Sequence, residues 1–196
     1  MVLRHGQTEW SLSGQHTGRT DVELTPRGEA EAAAWAPELA GRAFAAVLCS
    51  PLRRATRTAE LAGLTGTALD PDLQEWDYGP VEGRTTAEVR EQWPGWDLWT
   101  DGVAAVGGGP DTARGETLGE VGARCDRVLD RVRPLLERGD VALVAHGHLL
   151  RVLAARWLRL EPGAGALLPL DPAAAGVLGH ERERRVVQAW GVRARR

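Results

Sequence analysis

The sequence predicts an α/β fold of three layers, in which helices flank both faces of a mostly parallel central sheet. Three short apolar runs, at residues 1–3, 45–49 and 141–145, lack the polar and apolar alternation of a half-exposed strand. Each run is followed by a segment with helical features, and buried strands that alternate with helices are typical of a covered parallel sheet. The length of 196 residues suits one substantial core, so we expect a single domain over residues 1–196.

The first strand-helix unit begins at the N-terminus. Residues 1–3 form the end of a short buried strand that runs directly into Arg4-His5-Gly6. A helix is predicted from Thr25-Pro26, because a hydroxyl stands at the N-cap and proline at the first helical position. The alanine-rich stretch that follows extends this helix to Ala40.

The other two units have clearer boundaries. The run at 45–49 ends at Ser50-Pro51, where a helix begins that continues to about Ala62. The run at 141–145 is followed by a helix to about Leu158. Polar residues therefore follow the carboxyl ends of both strands.

Two further elements complete the prediction. From Glu116 onwards, apolar residues recur at the spacing of a helix face that packs on a core. Residues 176–179 and 186–190 are weaker strand candidates, and we interpret them as an antiparallel pair.

The stretch from about 70 to 114 interrupts the alternation of strands and helices. It is rich in glycine and proline and holds Trp76, Trp93, Trp96 and Trp99. Tryptophan needs a surface to pack on, so we expect an excursion over the sheet edge, similar to a lid, rather than a linker.

Composition limits the classes of partner and location. The net charge of −3 gives no indication of nucleic acid or an anionic membrane as partner. No apolar run approaches the ~20 residues that span a bilayer. Arg4-His5 stands too near the N-terminus for a signal peptide, so we expect a cytoplasmic protein. Cys49 and Cys125 lie in apolar contexts, which predicts buried thiols rather than a disulfide or a metal site.

Polar residues follow each of the three buried strands: Arg4-His5 after the first, residues 50–54 after the second, and His146 after the third. Ligands of parallel sheets bind beyond the carboxyl ends of the strands, so we expect these residues in one crevice. Transfer of a phosphoryl group needs a nucleophile, neutralisation of the phosphoryl oxygens and a proton for the leaving oxygen. Arg4, Arg54 and His146 supply cationic or donor groups, and neutral His5 is a nucleophile that can attack phosphorus.

Each of these residues also has an ordinary structural interpretation. His5 alone could be a loop histidine with satisfied hydrogen bonds, and Arg54 could form a surface ion pair. His146 and His148 could suggest a metal, but no carboxylate or cysteine stands at ligand spacing beside them. We therefore expect no metal site.

Several blocks of residues occur in a fixed order along most of the chain. Leu3-Arg4-His5-Gly6-Gln7-Thr8 opens the series, and Ser50-Pro51-Leu52-Arg53-Arg54-Ala55 follows the second strand. The other blocks are Thr17-Gly18 with Leu24-Thr25-Pro26-Arg27-Gly28, Leu73-Gln74-Glu75 with Gly79 and Glu82-Gly83, Gly115-Glu116-Thr117, and Val144-Ala145-His146-Gly147-His148. Together they resemble the histidine phosphatase superfamily, also called the phosphoglycerate mutase-like family. The resemblance implies that family's three-layer fold.

The resemblance implies a metal-independent reaction without a cofactor. His5 would become phosphorylated while Arg4, Arg54 and His146 hold the phosphoryl oxygens, and Glu75 would protonate the departing alkoxide and then activate water. Without the resemblance, Glu75 would be interpreted as a solvated loop carboxylate. A charged His146 and a protonated Glu75 would together give a rate optimum below neutral pH.

Further residues are expected around the substrate. The predicted phosphate or substrate contacts are Thr8, Ser11, Thr17, Gly18 and Gly147, and Ser11 stands where many family members carry asparagine. Gly147 would offer its backbone N–H at the start of a helix. His148 is interpreted as a neighbour that orients the loop, and Glu82 and Glu116 as structural residues.

The segments 75–79 and 96–102 resemble a subgroup that contains broad-range acid phosphatases and sedoheptulose-bisphosphatase-like enzymes. The sequence therefore predicts a phosphomonoesterase that acts on sugar phosphates or other small phosphorylated metabolites. A phosphoglycerate mutase and a noncatalytic phosphate-binding protein remain as alternatives. The basic, proline-rich insertion of cofactor-dependent mutases has no counterpart after Glu75. The physiological substrate, a homodimeric state, and the conformation and role of the 101–114 loop stay open.

Overall fold

The computed structural model describes residues 1–106 and 114–195. Its centre is a six-stranded sheet with the order β3-β2-β4-β1-β5-β6. The first four strands in this order are parallel, while β5 is antiparallel to β1, and β6 to β5. The strands are β1 (Val2–Arg4), β2 (Ala46–Cys49), β3 (Thr67–Leu69), β4 (Val141–Ala145), β5 (Ala175–Glu181) and β6 (Arg184–Val192).

Helices cover both faces of this sheet. They are α1 (Glu9–Ser13), α2 (Pro26–Ala33), α3 (Trp35–Leu39), α4 (Arg53–Leu61), α5 (Thr86–Gln92), α6 (Leu118–Leu136) and α7 (Gly147–Trp157). Successive residues of β4 point to opposite faces: Leu143 belongs to an apolar cluster with residues of α6 and α7, and Val144 to a cluster with residues of α3 and α4. The three-layer fold with a mostly parallel sheet is thereby confirmed.

The helix predicted from Thr25-Pro26 to Ala40 is wrong in its length. The chain forms α2 to Ala33 and then a separate short helix, α3, from Trp35. Pro37 explains the interruption, since it has no N–H to donate and its ring would clash with the carbonyl of Ala33 in a continuous helix.

Other boundaries differ by smaller amounts. Helix α4 begins at Arg53 rather than at Ser50-Pro51. The sequence did not indicate β3, because this strand lies at the sheet edge and two of its three residues are exposed. The antiparallel pair near the C-terminus is confirmed, and β5 and β6 are both longer than predicted.

The excursion packs on the main core over its described residues. Trp76 and Trp96 are buried in the same apolar cluster as residues of α6 and α7. Helix α5 is its longest regular element. The segment 107–113, within the glycine-rich loop predicted at 101–114, lies outside the described residues. A lid function of the excursion stays a prediction.

Cys49 and Cys125 are both buried and free, as expected. None of the helices in the described residues combines the length and the hydrophobicity that crossing a bilayer requires.

Candidate active site

The parallel pairing of β1 with β4 brings the two candidate histidines together. Arg4 pairs with Ala145 in the register of these strands, so the residues that follow, His5 and His146, become neighbours. Their ring centroids are 5.1 Å apart. Arg54 reaches the same place from the first turn of α4. We call Arg4, His5, Arg54, His146 and Gly147 the strand-end cluster.

His5 is held as a neutral imidazole with one nitrogen available. Its Nδ1 lies 2.7 Å from the carbonyl oxygen of Gly6, which can only accept, so Nδ1 carries the proton and donates it. The ring is 4% exposed and lines a pocket of about 270 Å³. Burial, followed by the charges of Arg54 and Arg4, lowers the pKa of His5 well below its usual value. Nε2 is therefore an unprotonated nitrogen with no hydrogen-bond partner among the described residues.

The loop after His5 requires glycine at two positions. A Cβ on Gly6 would lie 2.2 Å from the carbonyl oxygen of Gly28, and one on Gly28 would lie 2.0 Å from that of Gln7. The Gly6 N–H also donates to the Thr58 hydroxyl of α4, at 3.0 Å. These contacts fix the backbone that carries His5.

Arg4 has donors left for a ligand. One terminal nitrogen donates to the carbonyl of Leu170 at 2.6 Å, while its buried Nε has no partner in the described residues. The guanidinium lies against Gly147, where a Cβ would be 3.1 Å from its carbon. Burial lowers the pKa of Arg4, but a guanidinium remains charged in proteins. A cation with unused N–H groups beside a helix N-terminus suits an anion.

Arg54 and His146 lie next to His5, and their expected contact with the phosphoryl oxygens stays a prediction. Neither lines the pocket, and both are fully buried. Arg54 donates to Nδ1 of His146 at 3.1 Å and to the carbonyls of Thr17, Gly18 and Thr20. Four of its five N–H groups are therefore used within the protein.

The hydrogen bonds of His146 fit a neutral ring, whereas the expected acidic rate optimum invoked a charged one. Its Nδ1 accepts from Arg54, so Nε2 carries the proton and donates to the Ser50 hydroxyl at 2.7 Å. Burial, together with the charges of Arg54, His5 and Arg4, lowers the pKa of His146 well below its usual value. An acidic rate optimum consequently cannot be derived from a charged His146.

Glu75 lines the same pocket as His5 and is 5% exposed. Its Oε1 accepts from the N–H groups of Trp76 at 2.9 Å and Leu149 at 2.8 Å. Oε2 accepts from the N–H of His148 at 3.1 Å. Two of these donors are at the N-terminus of α7, so Glu75 is fixed with respect to that helix, and Oε2 keeps a lone pair for a proton.

Arg124 of α6 holds both ends of the excursion. It donates to the carbonyls of Asp72, Gln74 and Glu75 at the start of the excursion. It also forms two bonds, of 2.6 and 2.8 Å, with the carboxylate of Glu116 at the end. Arg124 holds the pKa of Glu116 below its usual value against the effect of burial. We call Arg124 with Glu116 the excursion clamp, and the structural role expected for Glu116 fits this geometry.

The predicted phosphate contacts fall into two groups. Ser11, Thr17 and Gly147 line the pocket. Thr8 is fully buried, and its hydroxyl accepts from the N–H of Ser11 in a capping box that starts α1. The N–H of Gly18 donates to the carboxylate of Glu82, so it already has a partner.

The sequence did not indicate a second set of pocket residues, which we call the pocket wall. Tyr78 is buried, and its oxygen lies 2.5 Å from Nδ1 of His148. The guanidinium of Arg151 lies over the ring of Trp99, 4.5 Å from its centroid. The pocket wall comprises His16, Tyr78, Trp99, His148 and Arg151.

One signal could have identified part of this wall. His148 and Arg151 are three residues apart, and Gly147 and Arg151 four, so a helix places them on one face. The residues from the excursion depend on its conformation and had no such signal. Within the described residues, no group of three or more potential ligands is arranged to hold a metal ion.

Comparison with known proteins identifies the family. Residues 1–193 match the model of the histidine phosphatase superfamily, branch 1, and the chain belongs to this family. It is similar to an acid phosphatase of Mycobacterium tuberculosis, with 38% identity over 98% of this chain and 91% of the relative. A sedoheptulose 1,7-bisphosphatase of Saccharomyces cerevisiae is 33% identical over 82% of this chain and 67% of the relative.

Solved structures and other relatives agree with this assignment. The structure of an open reading frame product of Mycobacterium tuberculosis superposes with a TM-score of 0.90 at 36% identity, covering 99% of this chain and 97% of that one. A 2,3-bisphosphoglycerate-dependent phosphoglycerate mutase of Cytophaga hutchinsonii is 34% identical over 83% of this chain and 78% of the relative. Phosphatases and mutases thus both occur among similar proteins.

Proposed function

We propose that the enzyme hydrolyses phosphomonoesters of small metabolites through a phosphohistidine formed on His5. The observation that carries this proposal is the available Nε2 of His5, whose side chain lines a pocket where Arg4 keeps unused N–H groups. A neutral imidazole next to an anion-binding cation is the combination that attack on phosphorus requires.

In the first step, Nε2 of His5 attacks phosphorus and the bond from phosphorus to the ester oxygen breaks. Arg4 and the N–H of Gly147 stabilise the charge on the phosphoryl oxygens. Among the N-terminal N–H groups of α7, those of His148 and Leu149 bind Glu75, and that of Leu150 binds the carbonyl of His146, so the N–H of Gly147 remains for the ligand. Glu75 gives its proton to the departing oxygen.

In the second step, water attacks the phosphorus of phosphohistidine and the N–P bond breaks. Glu75, now a carboxylate, accepts a proton from this water, and inorganic phosphate leaves. Arg54 and His146 lie beside the nucleophile. Arg54 donates to the carbonyls of Thr17 and Gly18, and the ring of His146 lies next to that of His5.

The pocket supports a small substrate. Its volume of about 270 Å³ lies just below the usual range for ligand sites, about 300–1,000 Å³. The rim includes polar side chains that can bind hydroxyl groups, among them Gln15, Thr86 and Asp97. The activity that the name of the yeast relative states, on a sugar bisphosphate, supports sugar phosphates as one class of substrate.

A mutase is the second candidate, because phosphoglycerate mutases occur among the relatives. A mutase must retain a bisphosphorylated intermediate, which favours many basic residues around the pocket. Between residues 76 and 106 the chain holds only Arg84 and Arg90 as basic residues, and neither lines the pocket, whose arginines in the described residues are Arg4 and Arg151. This observation favours hydrolysis.

The test of the proposal is to identify the phosphorylated residue. Enzyme mixed with p-nitrophenyl phosphate is quenched in alkali, which preserves phosphohistidine, and its peptides are mapped by mass spectrometry. We expect phosphate on His5 and release of p-nitrophenol. A phosphate on another side chain, or turnover without any phosphoenzyme, would contradict the proposal. Primer-dependent interconversion of phosphoglycerates at a rate above hydrolysis would favour the mutase.

We also propose a cytoplasmic location, supported by two buried cysteines that are both free. Cell fractionation tests it, and recovery outside the cytoplasm would contradict it. We also propose a homodimer, which the family resemblance supports. Sedimentation equilibrium distinguishes it from a monomer.

A further inference from the structure

Arg54 is a fully buried cation that is not bonded to any carboxylate of the described residues. Its partners there are neutral groups: Nδ1 of His146 and the carbonyls of Thr17, Gly18 and Thr20. Arg124, another buried arginine, is by contrast bonded directly to the carboxylate of Glu116. A buried charge is costly unless it is compensated, so a negative charge that stabilises Arg54 must act from beyond its direct partners.

One peptide group links Arg54 to the carboxylate of Glu82. The carbonyl oxygen of Thr17 accepts from a terminal nitrogen of Arg54 at 3.1 Å. The N–H of the same peptide group belongs to Gly18, and it donates to both carboxylate oxygens of Glu82, at 2.9 and 3.0 Å. The peptide dipole thus has its oxygen on the cation and its hydrogen on the anion, and hydrogen bonds in such a chain strengthen one another.

Glu82 also holds the other end of the segment 17–20. Its Oε1 accepts from the N–H of Thr20 at 3.0 Å, and the carbonyl of Thr20 accepts from Arg54 at 2.8 Å. A Cβ on Gly18 would lie 2.5 Å from Oε2 of Glu82 and 2.5 Å from the carbonyl oxygen of Trp76, so this close approach requires glycine. The carboxylate therefore fixes the backbone whose three carbonyls bind the guanidinium.

Two other carboxylates near Arg54 do not fit this role. Burial lowers the pKa of Arg54, and the charges of Glu75 and Asp21 oppose this effect most strongly. Glu75 carries a proton at the start of the proposed first step, so its charge changes during turnover. Asp21 is exposed and accepts from the N–H of Arg53. Glu82 does not line the pocket and takes no part in the proposed proton transfers.

A counter-ion that acts through a peptide group leaves the site suited to an anion. A carboxylate bonded directly to Arg54 would cancel the charge that the phosphoryl group is expected to meet. Carbonyl partners hold the guanidinium without adding a negative charge beside it. Arg54 in turn donates to Nδ1 of His146, whose ring lies 5.1 Å from that of His5, so its position affects both histidines.

We propose that Glu82 is a positioning residue that holds Arg54 through the Thr17-Gly18 peptide group and so sets the affinity of the strand-end cluster for the phosphoryl group. The inference rests on the proposed phosphatase function. It gives a residue outside the pocket an effect that is common to all substrates, beyond the structural role that its sequence position indicates.

The first experiment measures the Kd of inorganic phosphate by isothermal titration calorimetry. E82Q removes the charge with little change of shape, and we expect phosphate to bind about 10-fold more weakly, the lower end of the effect of a hydrogen bond to a charged group. The Kd does not depend on the folded fraction of the variant. An unchanged Kd would overturn the inference, and so would tighter binding, which is expected if Glu82 only repels the anion.

E88Q is the matched control for E82Q. Glu88 belongs to the same excursion and also accepts from a backbone N–H, that of Thr85 at 2.7 Å, but this peptide group has no bond to Arg54. We expect E88Q to bind phosphate as the unaltered enzyme does. Equal weakening in E82Q and E88Q would assign the effect to the excursion in general and overturn the inference.

The second experiment tests whether Glu82 acts through Arg54. R54K keeps a cation but cannot bind three carbonyls and His146 with one planar group. In the R54K background, E82Q should change the Kd of phosphate by less than about twofold, because residues that act together are not additive. The same 10-fold weakening in both backgrounds would overturn the inference.

A comparison of substrates replaces this cycle if R54K does not fold. The ratio of kcat/KM between p-nitrophenyl phosphate and glycerol 3-phosphate does not depend on the folded fraction. E82Q should leave this ratio within about twofold of its original value, because Arg54 belongs to the part of the site that all substrates share. A larger change would place Glu82 in leaving-group recognition and overturn the inference.

Failure of the inference differs from failure of the proposed function. If the unaltered enzyme does not hydrolyse p-nitrophenyl phosphate at all, the phosphatase proposal fails. If the ester is hydrolysed through His5 and E82Q binds phosphate as the unaltered enzyme does, only the role of Glu82 fails.

Discussion

The strand-end cluster and the pocket wall both contribute residues to the same cavity but are built in different ways. The cluster stands at the carboxyl ends of β1 and β4 and at the starts of α4 and α7, so the sheet topology determines its positions. In the wall, His16 follows α1, Tyr78 and Trp99 belong to the excursion, and His148 and Arg151 belong to α7. The wall is held by side-chain contacts such as Tyr78 with His148 and Trp99 with Arg151.

This difference in construction corresponds to two roles, binding of the phosphoryl group and recognition of the leaving group. The phosphoryl group is common to all substrates, and the residues that would receive it are on the most buried part of the fold. The leaving group varies, and the residues that would contact it come from α7, from the chain after α1 and from the excursion. Changes in the cluster should therefore affect every substrate, while changes in the wall should affect substrates selectively.

The largest effect is expected from H5A, which removes the proposed nucleophile. The value of kcat/KM should fall by about 10³-fold or more for every phosphomonoester. The matched control is H180A, because His180 is an exposed residue of β5 outside the pocket. Steady-state assays on three unrelated substrates measure both variants. If H5A kept its activity on one substrate and lost it on the others, the proposed distinction between the strand-end cluster and the pocket wall would be contradicted.

A smaller and more selective loss is expected from E75Q. Removal of the proton donor should lower kcat for glycerol 3-phosphate by about 10²- to 10⁴-fold. The loss should be smaller with p-nitrophenyl phosphate, because p-nitrophenolate leaves without prior protonation. The control is E91Q, an exposed carboxylate on α5. Equal losses for both substrates would show that Glu75 acts by positioning rather than by proton transfer.

The next prediction concerns stability at the base of the cluster. G6A should lower the free energy of unfolding by about 1–3 kcal/mol, because the new Cβ would lie 2.2 Å from a backbone oxygen. G119A in α6 is the control, since its Cβ would have only the Thr117 hydroxyl nearby, at 4.0 Å. There we expect a gain of up to about 1 kcal/mol. Urea unfolding measures the free energy of unfolding of both variants. A G6A variant as stable as the unaltered protein would contradict a rigid loop after His5.

Acid should destabilise the fold through its buried neutral histidines. His5, His146 and His148 have pKa values lowered well below 6.5, so the unfolded chain binds protons more readily in this range. The free energy of unfolding should decrease as the pH falls below about 6.5, by up to about 1.4 kcal/mol per pH unit for each histidine. Thermal unfolding between pH 7.5 and 5.5 measures this slope. A Tm that stays constant or rises on acidification would contradict the neutral assignment.

The smallest effect is expected from metal removal. Arg4 and the N-terminus of α7 supply the charge stabilisation in the proposed mechanism, so EDTA should leave kcat unchanged. The control adds magnesium back after dialysis. Strong inhibition that added metal reverses would assign part of the stabilisation to a cation.

The sequence predicted the strand-end cluster better than the pocket wall for a physical reason. Continuous apolar runs define parallel strands, and the residues after them must meet at one sheet edge, as Arg4, His5 and His146 do. The hydrogen-bond partners of His146 follow from the packing around its ring, and the sequence gives no measure of that packing. Its neutral state was therefore missed. Trp99 and Tyr78 reach the pocket through the path of the excursion, which no local periodicity specifies.

The excursion clamp allows the part of the pocket wall that the later excursion contributes, such as Trp99, to be replaced. Arg124 ties the start of the excursion to its end at Glu116, and Glu75 is bonded to α7, so the proposed acid is anchored independently of the chain between them. Lengthening a closed loop adds little entropic cost, about 0.6 kcal/mol for each doubling. Insertions or substitutions between residues 84 and 114 can consequently alter which molecules fit, while the acid and the nucleophile keep their separation. One catalytic core could in this way acquire new substrates by exchange of a single tethered segment.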